Sequence, residues 1–204
     1  MKIGNTALIL IGYQNDYFAD DGILHSVIEE SLCANDVLNN TINLIKELSA
    51  ENVLMISTPI CFTHQYEELD NPVGILKIVK EAGAFKAGTK GAETIEELKK
   101  FGDAITEVPG KRGLDAFSNT ALKDILTQHN IKNVVIAGVV TSVCVDTTGR
   151  SAHAQGYQVS ILEDCTAGRT SYEQAFYCES IFPIYSRVVT SHGLLNQLKN
   201  EKAA

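Results

Sequence analysis

Ile136–Arg150 reads IAGVVTSVCVDTTGR, and this stretch decides the architecture. Val134 to Ala137 leads into it as an unbroken apolar, β-branched run, the pattern of a strand covered on both faces. Gly138 interrupts the run, and a helical pattern then continues through Ala152. Strand, tight turn and helix in succession place Cys144 in the first turn of the helix, near unpaired backbone N–H groups and the positive end of the helix dipole. A thiol there suits a nucleophile. The competing reading is a small buried hydrophobe, the usual fate of a cysteine.

Outward from this unit the same alternation recurs. Strands are expected at Ala7–Ile11, Val53–Ile56, Ala104–Val108, Gln158–Leu162 and Val188–Thr190. Helices are expected over Glu29–Ala50, Pro72–Ala82, Glu93–Phe101, Asn119–His129 with Ser118 as N-cap, Val143–Gln155, Tyr172–Ile181 and from His192 onward. Apolar positions Val37, Leu38, Ile42, Ile45 and Leu48 carry the helical spacing of the first helix. Tyr13–Leu24 and the glycine-rich Phe85–Gly91 read as loops. Alternation of this kind predicts an α/β three-layer sandwich, a mostly parallel central sheet with helices on both faces. The 204 residues suit a single domain over 1–204. Ligands bind such sheets beyond the C-terminal strand ends, so the loops after Ile11, Val108 and Ala137 matter most.

Composition narrows the function. A net charge of −8 argues against nucleic acid or an anionic membrane surface as partner. No apolar run reaches the roughly 18 residues of a membrane helix, and MKIGNTALILIGYQ reads as a strand rather than a signal peptide. The five cysteines, at 33, 61, 144, 165 and 178, are odd in number and lack Cys-x-x-Cys spacing. Reduced thiols in the cytoplasm are therefore expected, without a disulfide framework or structural metal. Lys111 follows the strand ending near Val108. It is either a solvated charge or, if two strand ends converge, a partner for Cys144.

Three segments together resemble the isochorismatase-like cysteine hydrolases: LILIGYQNDYF at Leu8–Phe18, GKRGLDAFSNTAL at Gly110–Leu122 and AGVVTSVCVDTTGRSA at Ala137–Ala152. The resemblance covers essentially the whole chain. It implies that Cys144 attacks a small amide, carbamoyl or related carbon, with Lys111 beside it. It also implies a cis peptide between Val139 and Val140 that aims the Val140 N–H, with that of Cys144, at the developing oxyanion. A small-molecule substrate, no cofactor, no membrane partner and a homo-oligomer are what the family leads one to expect.

The sequence departs from the family at Gly12, where the resemblance implies the general-base aspartate; the base is missing. Tyr13 also departs from the usual aliphatic residue or methionine. Asp16, Asp20 or a substrate carboxylate is the alternative source of an acid. Amide hydrolysis impaired by the loss, or a catalytically silent binding or regulatory protein, are the two functional outcomes. His64 stands without the Asp-x-His of the nicotinamidase branch, so no zinc is expected; it is a loop histidine or a substrate contact. Phe18 and Phe117 are candidates for the pocket wall, with core packing as the default for them and for Phe62 and Tyr66. Asp115 and Arg150 frame the motifs, and Arg169 and Tyr172 are candidates for a subunit contact.

Overall fold

In a computed structural model of the chain, residues 3–51 and 53–202 are described. Six strands, β1 Thr6–Ile11, β2 Leu54–Thr58, β3 Thr106–Glu107, β4 Asn133–Val139, β5 Gln158–Ala167 and β6 Arg187–Val189, form one sheet. Their order is β3-β2-β1-β4-β5-β6, and the described pairs are parallel. The helices are α1 Asn15–Phe18, α2 His25–Ala34, α3 Val37–Ser49, α4 Gly74–Ala82, α5 Glu96–Lys99, α6 Leu122–Gln128, α7 Asp146–Ala154, α8 Ser171–Phe176 and α9 Ser191–Lys202.

Strand periodicity builds the layers. Ala7, Ile9 and Ile11 of β1, with Val134 and Ile136 of β4, face a core shared with Leu122 and Leu126 of α6 and Ala152 of α7. Leu8 and Leu10, with Val135 and Ala137, face the opposite core with Leu44, Ile45 and Leu48 of α3 and Leu194 and Leu198 of α9. Successive side chains of a strand point to opposite faces, so β1 from Ala7 and β4 from Val134 onward carry no polar side chain, because both faces are covered. A third cluster, including Tyr17, Phe62, Tyr66, Phe85, Val139 and Val140, closes the C-terminal end of the sheet.

Four expectations are corrected. The segment Tyr13–Leu24, expected as loop, carries the short helix α1, Asn15–Phe18. The single helix expected over Glu29–Ala50 is two, because Asp36 adopts a left-handed conformation, φ 49°, which ends α2 and redirects the chain into α3. Ser118 does not cap α6: its hydroxyl donates to Asp115 Oδ2 at 2.8 Å, Asn119 turns left-handed, and the helix starts at Leu122. β5 runs five residues beyond Leu162, to Ala167.

Candidate active site

The sheet order reverses direction between β1 and β4, the kind of place where a crevice opens in a parallel sheet. Two glycines shape it. Gly138 has φ +125°, and a Cβ there would lie 1.9 Å from the Ile11 carbonyl oxygen, so β4 approaches β1 as only glycine allows. Pairing between β4 and β5 shifts register between Ile136 and Gly138. Gly12, φ +72°, turns the chain at the end of β1; a Cβ on it would lie 2.8 Å from the Val139 carbonyl oxygen, 3.0 Å from Val139 Cγ2 and 3.6 Å from Tyr17 Cδ2.

Beyond β4 the Val139–Val140 peptide is cis. Thr141–Val145 then winds as a π-type turn into α7. The Val140 carbonyl accepts from Val143 N at 3.0 Å and Val145 N at 3.2 Å. Turns of this widened kind are frequent at functional sites. The turn is anchored from α8: the Thr141 hydroxyl donates to Gln174 Oε1 at 2.5 Å, while Gln174 Nε2 donates to Glu163 O and Thr166 Oγ1.

Lys111 reaches the same place from the far side of the sheet order. Its carbonyl accepts from Cys61 N at 3.2 Å, and its Nζ lies 3.3 Å from Cys144 Sγ. Both side chains are buried, Lys111 at 1% and Cys144 at 5% exposure. Cys144 is the hydrogen-bond partner that the structure gives the Lys111 amine. Burying a charged amine away from water is expensive unless something compensates it, so this placement is not incidental packing.

Gln14 ties the loops together. Its Nε2 donates to the Ile60 and Ala92 carbonyls at 2.8 and 2.7 Å, and its Oε1 accepts from Ile60 N at 2.9 Å. Asn15 N and Ile95 N join the same two segments through Glu93 O and Tyr13 O.

The acidic alternatives to Gly12 are placed elsewhere. Asp16 is buried, and its Oδ2 accepts from Phe85 N at 2.6 Å; Asp20 is exposed. Tyr17 is buried, its ring 5.0 Å from that of Phe85. Burial holds its phenol well above the usual range, with the neighbouring Cys144 and Asp16 adding to the effect. Tyr13 is buried and hydrogen-bonds Thr41 and the Cys165 carbonyl at 2.7 and 3.2 Å, and burial raises its phenol too.

Phe18 stacks on Tyr13 at 5.0 Å. Phe117 stacks on Tyr157 at 6.0 Å, near the end of α7 remote from Cys144. His64 is exposed beside Gly88. Phe62 and Tyr66 are core residues, 5.5 Å apart. Asp115 accepts from Phe117 N, Ser118 Oγ and Ser151 Oγ. Arg150 pairs with Asp146 and lies over the Tyr185 ring. Arg169 pairs with Glu173, and Tyr172 is exposed. A cavity of about 560 Å³ opens beyond β2 and β3, lined by Ser57, Cys61, Glu107 and Gly110 among others; neither Lys111 nor Cys144 lines it. Among the described residues no three His, Cys, Asp or Glu side chains converge to hold a metal ion, and no helix is long and apolar enough to cross a membrane.

A parallel α/β sheet with a lysine and a cysteine meeting at its switch point is the frame on which the comparisons fall. The isochorismatase domain matches residues 6–193, and the chain belongs to that family. It is 27% identical over 161 residues to Nicotinamidase 3 of Arabidopsis thaliana, covering 79% of this chain and 72% of the relative. It is 28% identical over 194 residues to the ureidoacrylate amidohydrolase RutB of Klebsiella pneumoniae, covering 87% and 81%. The crystal structure of a cysteine hydrolase from Pseudomonas syringae pv. phaseolicola superimposes with a TM-score of 0.87 at 19% identity, covering 98% of this chain and 95% of that one.

Sequence reasoning singled out Lys111 and Cys144, which the structure brings together. Tyr17, Gln14 and Gln174 were not singled out. Gln14 and Tyr17 lie within a quoted motif, so the signal was present without a role; Gln174 sits on a helix with nothing in its spacing to mark it.

Proposed function

We propose that the chain is a cysteine hydrolase of small C–N substrates, amide or carbamoyl, needing no cofactor. Cys144 attacks as a thiolate paired with the Lys111 ammonium. The carbonyl carbon forms a bond to sulfur, the leaving nitrogen departs, and water hydrolyses the thioester. The N–H groups of Val140 and Cys144 are the donors assigned to the oxyanion. The observation that carries this reading is the buried 3.3 Å contact between Lys111 Nζ and Cys144 Sγ. Relatives named for nicotinamide and ureidoacrylate support the C–N class.

Gly12 supports a second reading, a silent family member that binds a small molecule or regulates a partner, because the family's base is absent from its position. Incubation with a panel of primary amides, ureas and carbamoyl compounds, followed by intact-mass measurement, separates the two. The first reading expects turnover and an acyl adduct on Cys144, both lost in Cys144→Ala. Binding without turnover or adduct favours the second.

The pocket-wall roles of Phe18 and His64 belong to the same proposal, as do one domain over 1–204, a cytoplasmic setting and a homo-oligomer; Phe117, stacked on Tyr157 beyond α7, is left out of the wall. The exposed Tyr172, stacked on Phe176, is the surface offered for subunit contact, and sedimentation of Tyr172→Asp tests it.

A further inference from the structure

We propose that the Tyr17 hydroxyl stands in for the absent carboxylate and delivers the proton to the leaving atom when the Cys144 adduct collapses. This rests on the nucleophile reading of Cys144.

Three observations carry it. The first is position. A Cβ built on Gly12 would press into the Val139 carbonyl and lie in van der Waals contact with the edge of the Tyr17 ring, 3.6 Å from Cδ2. Tyr17 packs in the same cluster as Val139 and Val140, with Val143 against it. The ring therefore lies against the space that a residue-12 side chain would enter, alongside the turn that carries the nucleophile. The second is an uncommitted donor. Tyr17 is 6% exposed, and no hydrogen bond of its hydroxyl is formed among the described residues, whereas the buried Tyr13 and Tyr66 hydroxyls are both spoken for. Since no fully buried side-chain N or O atom among the described residues lacks a partner, the Tyr17 hydroxyl keeps an opening to solvent, as a donor awaiting a substrate must. The third is protonation. Burial, then Cys144 and Asp16, hold the phenol in its neutral form, so the proton is present whenever substrate arrives.

The two acidic side chains named as alternatives are placed otherwise: Asp16 already accepts from Phe85 N, and Asp20 is exposed.

The steps balance. Thiolate attack forms the C–S bond and moves the carbonyl π pair to oxygen. Collapse re-forms the carbonyl and breaks the bond to the leaving atom, which takes the Tyr17 proton. Once sulfur is acylated its negative charge is gone, and with it part of what disfavours the phenolate. The phenolate then takes a proton from water, hydroxide adds to the thioester carbon, and the C–S bond breaks to return the thiolate. One water is consumed, and Tyr17 ends protonated.

The test uses 4-nitrophenyl, 2,2,2-trifluoroethyl and ethyl acetate: the first leaves as a stable phenoxide, whereas the alkoxides of the other two need a proton increasingly. Release of the phenol or alcohol and Cys144 acylation are followed in the parent protein, Tyr17→Phe and Cys144→Ala. Tyr17→Phe is expected to slow ethyl acetate by about 10²-fold or more, the usual worth of general acid help, and 4-nitrophenyl acetate far less. Equal slowing across the series, or none, would overturn the assignment of Tyr17 while leaving Cys144 as nucleophile. Release that persists in Cys144→Ala, or no acylation of the parent protein, would overturn the nucleophile reading and the role of Tyr17 with it.

Discussion

Gly12→Asp is the substitution the motif resemblance invites, since it would place a carboxylate at the end of β1. The structure predicts that it fails. Gly12 sits at φ +72°, where an L-residue with a Cβ pays about 1–2 kcal/mol. The new Cβ would lie 2.8 Å from the Val139 carbonyl oxygen and 3.0 Å from Val139 Cγ2. The first is backbone, at the cis peptide, and cannot rotate away. Together these set a cost of about 1–3 kcal/mol, before the carboxylate meets a carbonyl dipole of the same sign. For a chain of this size each kcal/mol is worth about 2–4 °C in Tm, so a fall of about 2–12 °C is expected. Differential scanning fluorimetry of Gly12→Ala and Gly12→Asp measures it. Alanine isolates the Cβ; aspartate adds the charge and should fall further. An unchanged Tm in both, or a gain in amide turnover in Gly12→Asp, would refute the reasoning, because either requires a side chain to fit where Val139 now lies.

Lys111→Met should slow iodoacetamide alkylation of Cys144 about tenfold or more, by removing the cation at its sulfur, while thermal stability holds or rises as a costly buried charge gives way to an apolar chain; an unchanged alkylation rate counts against the pairing. Gln14→Leu removes the bonds to Ile60 and Ala92 and should cost about 2–5 kcal/mol in urea unfolding, since the Ile60 N–H alone loses about 1–3; a cost under about 1 kcal/mol would show water replacing the amide. Burial pushes Cys178 up to about 12 from the ordinary 9.0, and raises Cys165 further. The native state therefore keeps protons that the unfolded chain releases. That stability is fully present below pH 9 and is lost as the pH rises through the folded values. Urea midpoints should thus decline steadily between pH 9 and 11, and a flat profile would contradict the burial of these thiols.

The strands were readable because Ala7–Ile11 of β1 and Val134–Ala137 of β4 are unbroken apolar runs, and a run covered on both faces needs no periodicity to betray it. That Lys111 could meet Cys144 was open to a reading of two strand ends of one sheet, with a solvated charge as the alternative; the motif resemblance implied the meeting, and separation along the chain gave no distance. What escaped was set by backbone sign and by contacts across the fold. Asp36 breaks the long helix with a left-handed φ, yet lies inside an apolar pattern with helical spacing. Ser118 had the right chemistry for a cap, but Asp115 holds its hydroxyl. Tyr17 lay in a segment read as loop, and only its packing against Gly12 and Val139 gives it a part. Gly12 was noticed for the carboxylate it lacks; its positive φ and the nearness of Val139 are invisible in one dimension.

The close seam between β1 and β4 has an evolutionary consequence. Because Gly138 lets the two backbones nearly touch, the cleft is drawn by main chain and its location does not depend on any acidic group that happens to line it. A chain with glycine at residue 12 therefore keeps its cleft without a carboxylate there, and the scaffold stays open to a different proton carrier. Any side chain acquired at residue 12 must first displace Val139, so change at this position is resisted by the backbone it faces.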